Sequence, residues 1–449
     1  MLKYYSTNRE AKMVDFETAL FEGQAPDRGL YMPQLIPTFS FREIESMREK
    51  DYQEISFLVL SKFLEDQIPK KVLKKMIVSI YDFEIPIEKL SQNLFLMRLD
   101  QGPTASFKDF GAKMLAKLME YFLKRKKEKM VILTATSGDT GSAVANAFFG
   151  IENIKVVILF PKNEVTKSQR KQMTTLGKNI ITLAIEGKFD DCQAMVKRAF
   201  ADPELKNLNL SSANSINLGR LFPQIIYYFF AFSKICKEGE KIIFSVPSGN
   251  FGNLTAGLLA KRMGLPVEKF IVAVNENDEF PRFLETSRYT PLRPSKNCLS
   301  NAMNIGHPSN LARVIDLYGG LMRETGEILK LPNMNLLKND IFSASISDKE
   351  TIKTIERVYQ RYHTILEPHG AVGWRALELF LEKEKKSFKA VCLETAHPGK
   401  FPEVLEKVLK KKIKIPEAIE RCQRKKERFE VFPADYEKFR SFLKTMCIC

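Results

Sequence analysis

The segment Met130-Val131-Ile132-Leu133-Thr134-Ala135-Thr136-Ser137-Gly138-Asp139-Thr140-Gly141-Ser142 passes from an apolar, β-branched run into a turn of hydroxyls and glycines, and helical spacing resumes at Ser142. Strand, polar turn and helix in that order make half of a parallel β-α-β unit. The alternation recurs along the chain. β-rich runs fall at Lys155 to Phe160, Ile180 to Ile185, Lys241 to Val246, Phe270 to Val274 and Lys389 to Leu393. Helical stretches lie between them, among them Gly111 to Leu123, Ser142 to Phe149, Cys192 to Phe200 and Leu254 to Met263. This pattern predicts an α/β fold of two open, twisted, mainly parallel-sheet domains with a cleft between them. Ligands of such sheets sit at the carboxyl ends of the strands, so the turns there are where chemistry is to be sought.

Upstream, residues 1–90 are expected to form a helical N-terminal domain. Phe41 to Leu64 and Pro69 to Tyr81 carry apolar residues at helical spacing, and Pro86 follows as a breaker. Residues 91–400 hold the α/β region, its smaller subdomain at about 105–235, and residues 401–449 form a C-terminal extension. The 449 residues, 44% hydrophobic and 28% charged, exclude disordered and collagen-like classes. The longest uncharged apolar stretch, Leu221 to Ser233, is shorter than the roughly 18 residues of a spanning helix and contains Pro223, so it is expected as a buried helix with no membrane partner. Met1-Leu2-Lys3-Tyr4-Tyr5 shows no apolar signal region, which makes a cytoplasmic protein the expectation. Cys192, Cys236, Cys298, Cys392 and Cys422 are scattered and only Cys447 and Cys449 are close, so neither a disulfide framework nor a metal site is expected. The net charge is +16, but its basic runs (Lys124 to Lys127, Lys410 to Lys412, Arg424 to Lys426) resemble solvated helix faces and carry no nucleic-acid-binding signature.

Three turns and one lysine concentrate the chemistry. Thr134 to Gly141 and Val246 to Asn253 each offer glycines, hydroxyls and amides at a helix start, which suits either an anion or an ordinary glycine-closed cap. Neither is a dinucleotide or nucleotide P-loop fingerprint. The third turn, Glu394-Thr395-Ala396-His397-Pro398-Gly399-Lys400-Phe401, puts a hydroxyl at a strand end, where it can meet a ring nitrogen without protonating it or simply close a loop. In Gly102-Pro103-Thr104-Ala105-Ser106-Phe107-Lys108-Asp109-Phe110-Gly111, Lys108 lies between two phenylalanines just before a helix. It either snorkels from a surface turn or is buried and nucleophilic, as a Schiff-base lysine must be. Taken with two anion cups, the second option points to pyridoxal phosphate.

These strings, together with Asn214-Ser215-Ile216-Asn217, resemble the threonine synthases, pyridoxal-phosphate enzymes of the tryptophan-synthase-β fold type, and the front piece and tail resemble their longer, bacterial and fungal branch. The resemblance covers essentially the whole chain. It implies that Lys108 holds the cofactor, that Ser248, Gly249, Asn250, Phe251, Gly252 and Asn253 cup its phosphate, and that Thr395 meets the pyridine nitrogen. It implies that Thr136, Ser137, Gly138 and Thr140 bind the substrate carboxylate, with Asp139 near the cofactor O3′. For the substrate phosphate the candidates are Asn214, Asn217, Arg220, Thr166 and Lys171; Arg220 could instead cap the apolar helix that begins at Leu221. The implied reaction converts O-phospho-L-homoserine and water to L-threonine and phosphate, by a monomer or homodimer.

The chain departs from the family where phenylalanine-histidine often precedes Gly102; here Asp100-Gln101 stand, so no imidazole acts there. A phospho-lyase releasing 2-oxobutyrate, ammonia and phosphate shares every cofactor residue and is the alternative enzyme. An amino-acid dehydratase fits less well, because its substrate needs no outer phosphate site. A basic nucleic-acid-binding protein on a retired scaffold is disfavoured by the intact Lys108. His307, His363, His369 and His397 lie apart in sequence, and His397 is expected to pack beside the cofactor.

Overall fold

The computed structural model describes residues 2–384 and 386–446; Cys447 and Cys449 lie outside the described residues. All six expected strands form, each within a few residues of its expected bounds. They divide between two sheets. In the larger sheet the order is Ile341–Ser345, Val267–Val274, Ile242–Pro247, Lys389–Glu394, Leu94–Arg98 and Ile87–Lys89, parallel except for the last strand. In the smaller sheet the order is Glu430–Pro433, Ile180–Glu186, Ile154–Pro161, Met130–Ala135 and Leu210–Ser212, all parallel. The central strands are buried on both faces, which explains their near-continuous apolar runs.

Two differences from the sequence expectation have clear causes. The tail is not a separate appendage. Its strand Glu430–Pro433 extends the smaller sheet, and Phe439 and Leu443 of helix Tyr436–Met446 join the core beneath Leu183 and Ile185. The front piece is not all helix either. Tyr4–Ser6 pairs antiparallel with Tyr31–Pro33, and the stretch expected as one helix from Phe41 breaks where Asp51 caps a new helix, Tyr52–Leu64, through a reciprocal box with Glu54.

The front piece buttresses the helix that carries Lys108. That helix runs Lys108–Lys126, so Lys108 is its first residue and Gly111 lies inside it. Phe110 packs edge-on to Tyr52 at 5.6 Å, and Tyr81 OH donates to Phe110 O at 3.2 Å. Phe63 stacks at 4.1 Å on Phe222 of helix Leu218–Ile235, the apolar helix expected from Leu221. Aromatic pairs of this kind contribute about 0.5–1.5 kcal/mol each beyond their burial. Gly111 lets the two helices touch, since a Cβ there would lie 2.6 Å from Arg220 O. Glycine in the first turn of this helix is therefore a packing requirement, and the helix begins at Lys108 and not at Gly111 as expected.

Candidate functional site

Thr136, Ser248 and Thr395 each follow directly or closely on the carboxyl end of a strand, and all three line one cleft of about 790 Å³ between the sheets. A neighbouring cavity shares Ala135, Asn214, Ser215 and Asn250 with it and extends toward Arg28 and Lys197.

Lys108 enters this cleft because its loop is stitched to the strand end bearing Thr395. Leu99 N donates to Glu394 O at 3.0 Å, Phe107 N to Thr395 O at 2.9 Å and His397 N to Ala105 O at 3.0 Å. Asp109 closes the loop from behind by accepting from Thr104 N at 2.8 Å and Thr104 Oγ1 at 2.6 Å. The lysine side chain is 15% exposed, and its Nζ lies 3.7 Å from Asp139 Oδ2. Burial depresses the Lys108 ammonium below the usual lysine range; Asp139 opposes this, and the nearby charges of Lys400 and Arg220 reinforce it. The amine is thus a nucleophile and base in waiting.

The Thr136 turn is locked by its own hydroxyl, which accepts from Gly138 N at 2.9 Å and Gly141 N at 2.8 Å. Gly138 has φ 138°, a conformation that favours glycine, and caps helix Asp139–Phe148. In the second cup, Phe251 takes a left-handed φ of 60° at the start of helix Gly252–Arg262. A bulky residue there stores strain, as loops shaped for ligands do. Among the described residues no backbone carbonyl accepts from the N–H groups of Gly249 to Asn253. Asn253 Oδ1 accepts from Tyr227 and Tyr228, while its Nδ2 is buried without a partner. The Thr395 hydroxyl faces the same cleft.

Arg220 is 2% exposed and lines the cleft. Its Nη1 donates to Ala213 O at 2.6 Å, but Nε is buried and unpaired, and no carboxylate among the described residues forms an ion pair with it. Burial pushes its guanidinium down to about 10, against the pull of Asp109, so it still carries its charge at neutral pH. A buried cation with a free N–H beside the unpaired amides of Gly249 to Asn253 calls for anionic occupants. These orphaned donors fit a phosphorylated cofactor and a phosphorylated substrate.

Not every expected residue reaches the cleft. Thr166 is the cap of helix Lys167–Thr174, its hydroxyl taken by Gln169 N at 3.2 Å. Lys171 is turned toward the tail and donates to Gln423 O. Asn217 caps Leu218–Ile235 and spends its side chain on Gly219 N, Leu20 O and Ser212 O. Asn214 does line the cleft, with its Nδ2 donating to Ala135 O at 2.8 Å. His397 is not among the residues lining the cleft; its Nδ1 accepts from Gly399 N at 2.9 Å and caps a short turn. The imidazole in the cleft is His369. Its Nε2 accepts from Ala302 N at 3.1 Å and its Nδ1 meets Glu367 Oε2 at 2.5 Å, so the ring proton sits on Nδ1. Asp100 is buried against Arg98 at 2.7 Å, away from the cleft lining. Lys400, which pairs with Asp139, also escaped the sequence reading. Its only sequence signal is its place six residues beyond a strand end already singled out.

Comparison with known proteins bears on the family and the fold. A model of pyridoxal-phosphate dependent enzymes matches residues 83–393, a threonine synthase N-terminus model residues 3–81 and a threonine synthase C-terminal model residues 370–443. Threonine synthase of Buchnera aphidicola subsp. Acyrthosiphon pisum is 40% identical over 422 residues, covering 93% of this chain and 94% of its own. The crystal structure of threonine synthase from Escherichia coli superposes with a TM-score of 0.90 at 38% identity, covering 99% of this chain and 100% of that one. The pyridoxal-phosphate-bound threonine synthase from Brucella melitensis superposes at 0.91 with 35% identity, covering 99% of each chain. The chain belongs to the threonine synthase family of pyridoxal-phosphate dependent enzymes.

Proposed function

We propose that this chain converts O-phospho-L-homoserine and water to L-threonine and inorganic phosphate, with pyridoxal phosphate as cofactor. The observation that carries the reading is the pairing of a depressed, cleft-facing lysine amine with an unpaired buried arginine in one cavity. The first suits a cofactor aldehyde, and the second suits a phosphate that a simple amino-acid dehydratase would have no use for.

Each residue has a definable task. The amides of Gly249 to Asn253 hold the cofactor phosphate, Lys108 its aldehyde carbon and Thr395 its ring nitrogen. When bound, pyridoxal phosphate supplies an electron sink for negative charge at the substrate α-carbon. Lys108, uncharged more readily than an ordinary lysine, takes the α-proton and returns it. The turn at Thr136, Ser137, Gly138 and Thr140 binds the α-carboxylate: Thr136 and Gly138 hold its shape, and the amides of Ser137 and Thr140 face the anion beside a helix start, where the dipole favours it. Arg220, with Asn214 beside it, grips the substrate phosphate and retains its charge as phosphate leaves the γ-carbon. Closure of the cleft excludes water until it adds at the β-carbon.

Of the basic runs, Lys124 to Lys126 end helix Lys108–Lys126, with Lys124 paired to Glu120 and Lys126 to Glu17, whereas Lys410 to Lys412 and Arg424 to Lys426 follow helix ends and are not helix faces as expected; no nucleic-acid partner is assigned. Among the described residues no helix is long and apolar enough to cross a membrane. The unbridged cysteines among the described residues suit a reducing, cytoplasmic setting; a monomer or homodimer is the state the family resemblance implies.

Incubation with O-phospho-L-homoserine is expected to yield threonine and phosphate in equal amounts; 2-oxobutyrate and ammonia in place of threonine would make the chain a phospho-lyase. Thr395→Asp is expected to impair turnover more than cofactor retention, because a carboxylate there favours a protonated ring. Unaltered turnover in that variant would remove Thr395 from the ring nitrogen.

A further inference from the structure

Asp139 is shared by two lysines. Lys400 has no exposed surface; its Nζ lies 2.7 Å from Asp139 Oδ1 and donates to Thr104 O at 2.9 Å. The Lys108 amine lies 3.7 Å from the other oxygen, Oδ2. Gln169 Nε2 donates to Oδ1 at 3.1 Å. Lys400 thereby joins three segments: the turn after strand Lys389–Glu394, the loop leading to Lys108, and the start of helix Asp139–Phe148 beside the smaller sheet. The chemistry assigned to Lys108, Thr395 and Arg220 leaves this second buried lysine without a task.

We propose that Lys400 is a positioning residue for the Lys108 amine: its ammonium neutralises and fixes Asp139, so that the carboxylate faces Lys108 without capturing it in a full ion pair. The inference rests on Lys108 being the amine that holds the cofactor.

A buried carboxylate needs a counter-charge and hydrogen bonds. Lys400 and Gln169 supply both at Oδ1, which leaves Oδ2 as a weaker, longer contact for Lys108. The surrounding charges agree. Lys400 and Arg220 repel a proton on Lys108, while Asp139 and Glu367 attract one. Asp139 stays ionised despite its burial because Lys400 and Lys108 favour its charged form. Without Lys400, Asp139 would keep Lys108 as its one ion-pair partner among the described residues. The Lys108–Asp139 pair would then hold its proton to higher pH, and the amine would be withheld from attack.

The test uses the cofactor-loaded enzyme and Lys400→Met, which keeps the side-chain length and deletes the charge. The absorbance band of the bound cofactor is followed against pH, beside the pH profile of kcat/KM. Lys400→Met is expected to move the spectral midpoint to more alkaline pH by about one unit or more, with cofactor still bound. Lys400→Arg is expected to keep the parental midpoint, because the cation remains. Lys400→Gln, which can still donate to Asp139 and Thr104, covers the case in which Lys400→Met does not fold, and is expected to shift as Lys400→Met does. A folded Lys400→Met or Lys400→Gln with the parental midpoint overturns the proposal and leaves Lys400 a structural cross-link. Loss of the cofactor assignment would show differently, as a parent enzyme whose band is not linked to Lys108.

Discussion

Lys108→Ala is expected to lower kcat by roughly 10³–10⁴-fold while leaving the protein folded, since the variant loses both the covalent anchor for the cofactor and the base for the α-proton. Stability should hold, because alanine is a good first-turn residue and the change removes a charge from a poorly solvated site. Lys108→Arg should be no better, because a guanidinium does not deprotonate and cannot act as nucleophile or base. A freely diffusing amine such as methylamine is expected to restore part of the rate in Lys108→Ala. Turnover by Lys108→Ala within tenfold of the parent enzyme would take this residue out of the chemistry.

Arg220→Ala should cost about 2–4 kcal/mol in kcat/KM, roughly 30- to 1,000-fold, the range for truncating one partner of a desolvated charge pair. Inhibition by inorganic phosphate should weaken in parallel. The melting temperature should change little. Arg220 is buried without an ion-pair partner among the described residues, so its removal strands no carboxylate. The competing role, capping its own helix, predicts the reverse: early melting with normal kcat/KM in the folded variant. Its single side-chain bond to Ala213 O is too little to make that role dominant, and the buried, unpaired Nε is a donor suited to an anion.

The reach of the sequence differs from element to element for physical reasons. The strands were readable because parallel strands are buried on both faces and become short apolar runs, as at Ile154–Pro161. The cups at Thr136 and Ser248 were readable because strand, glycine turn and helix are adjacent in the chain. Thr166 and Asn217 misled because a polar residue before a helix serves equally as ligand or cap. The Thr166 box with Gln169 three residues on is a signal that favours the cap. Lys400 and His369 were opaque because the contacts that bring them to the cleft, with Asp139 and Ala302, join residues remote in sequence and form only through the fold. The tail strand Glu430–Pro433 was also missed. It is a short edge strand with two exposed residues, and only its parallel partner Ile180–Glu186 defines it.

Two buried lysines stand on either side of Asp139, and the roles of Lys108 and Lys400 depend on which of them carries the cofactor. Borohydride reduction of the yellow holoenzyme followed by peptide mapping decides this in one measurement. The expected result is a single reduced pyridoxyl label on Lys108; a label on Lys400 or any other lysine, or none with the cofactor demonstrably bound, would contradict the account at its centre.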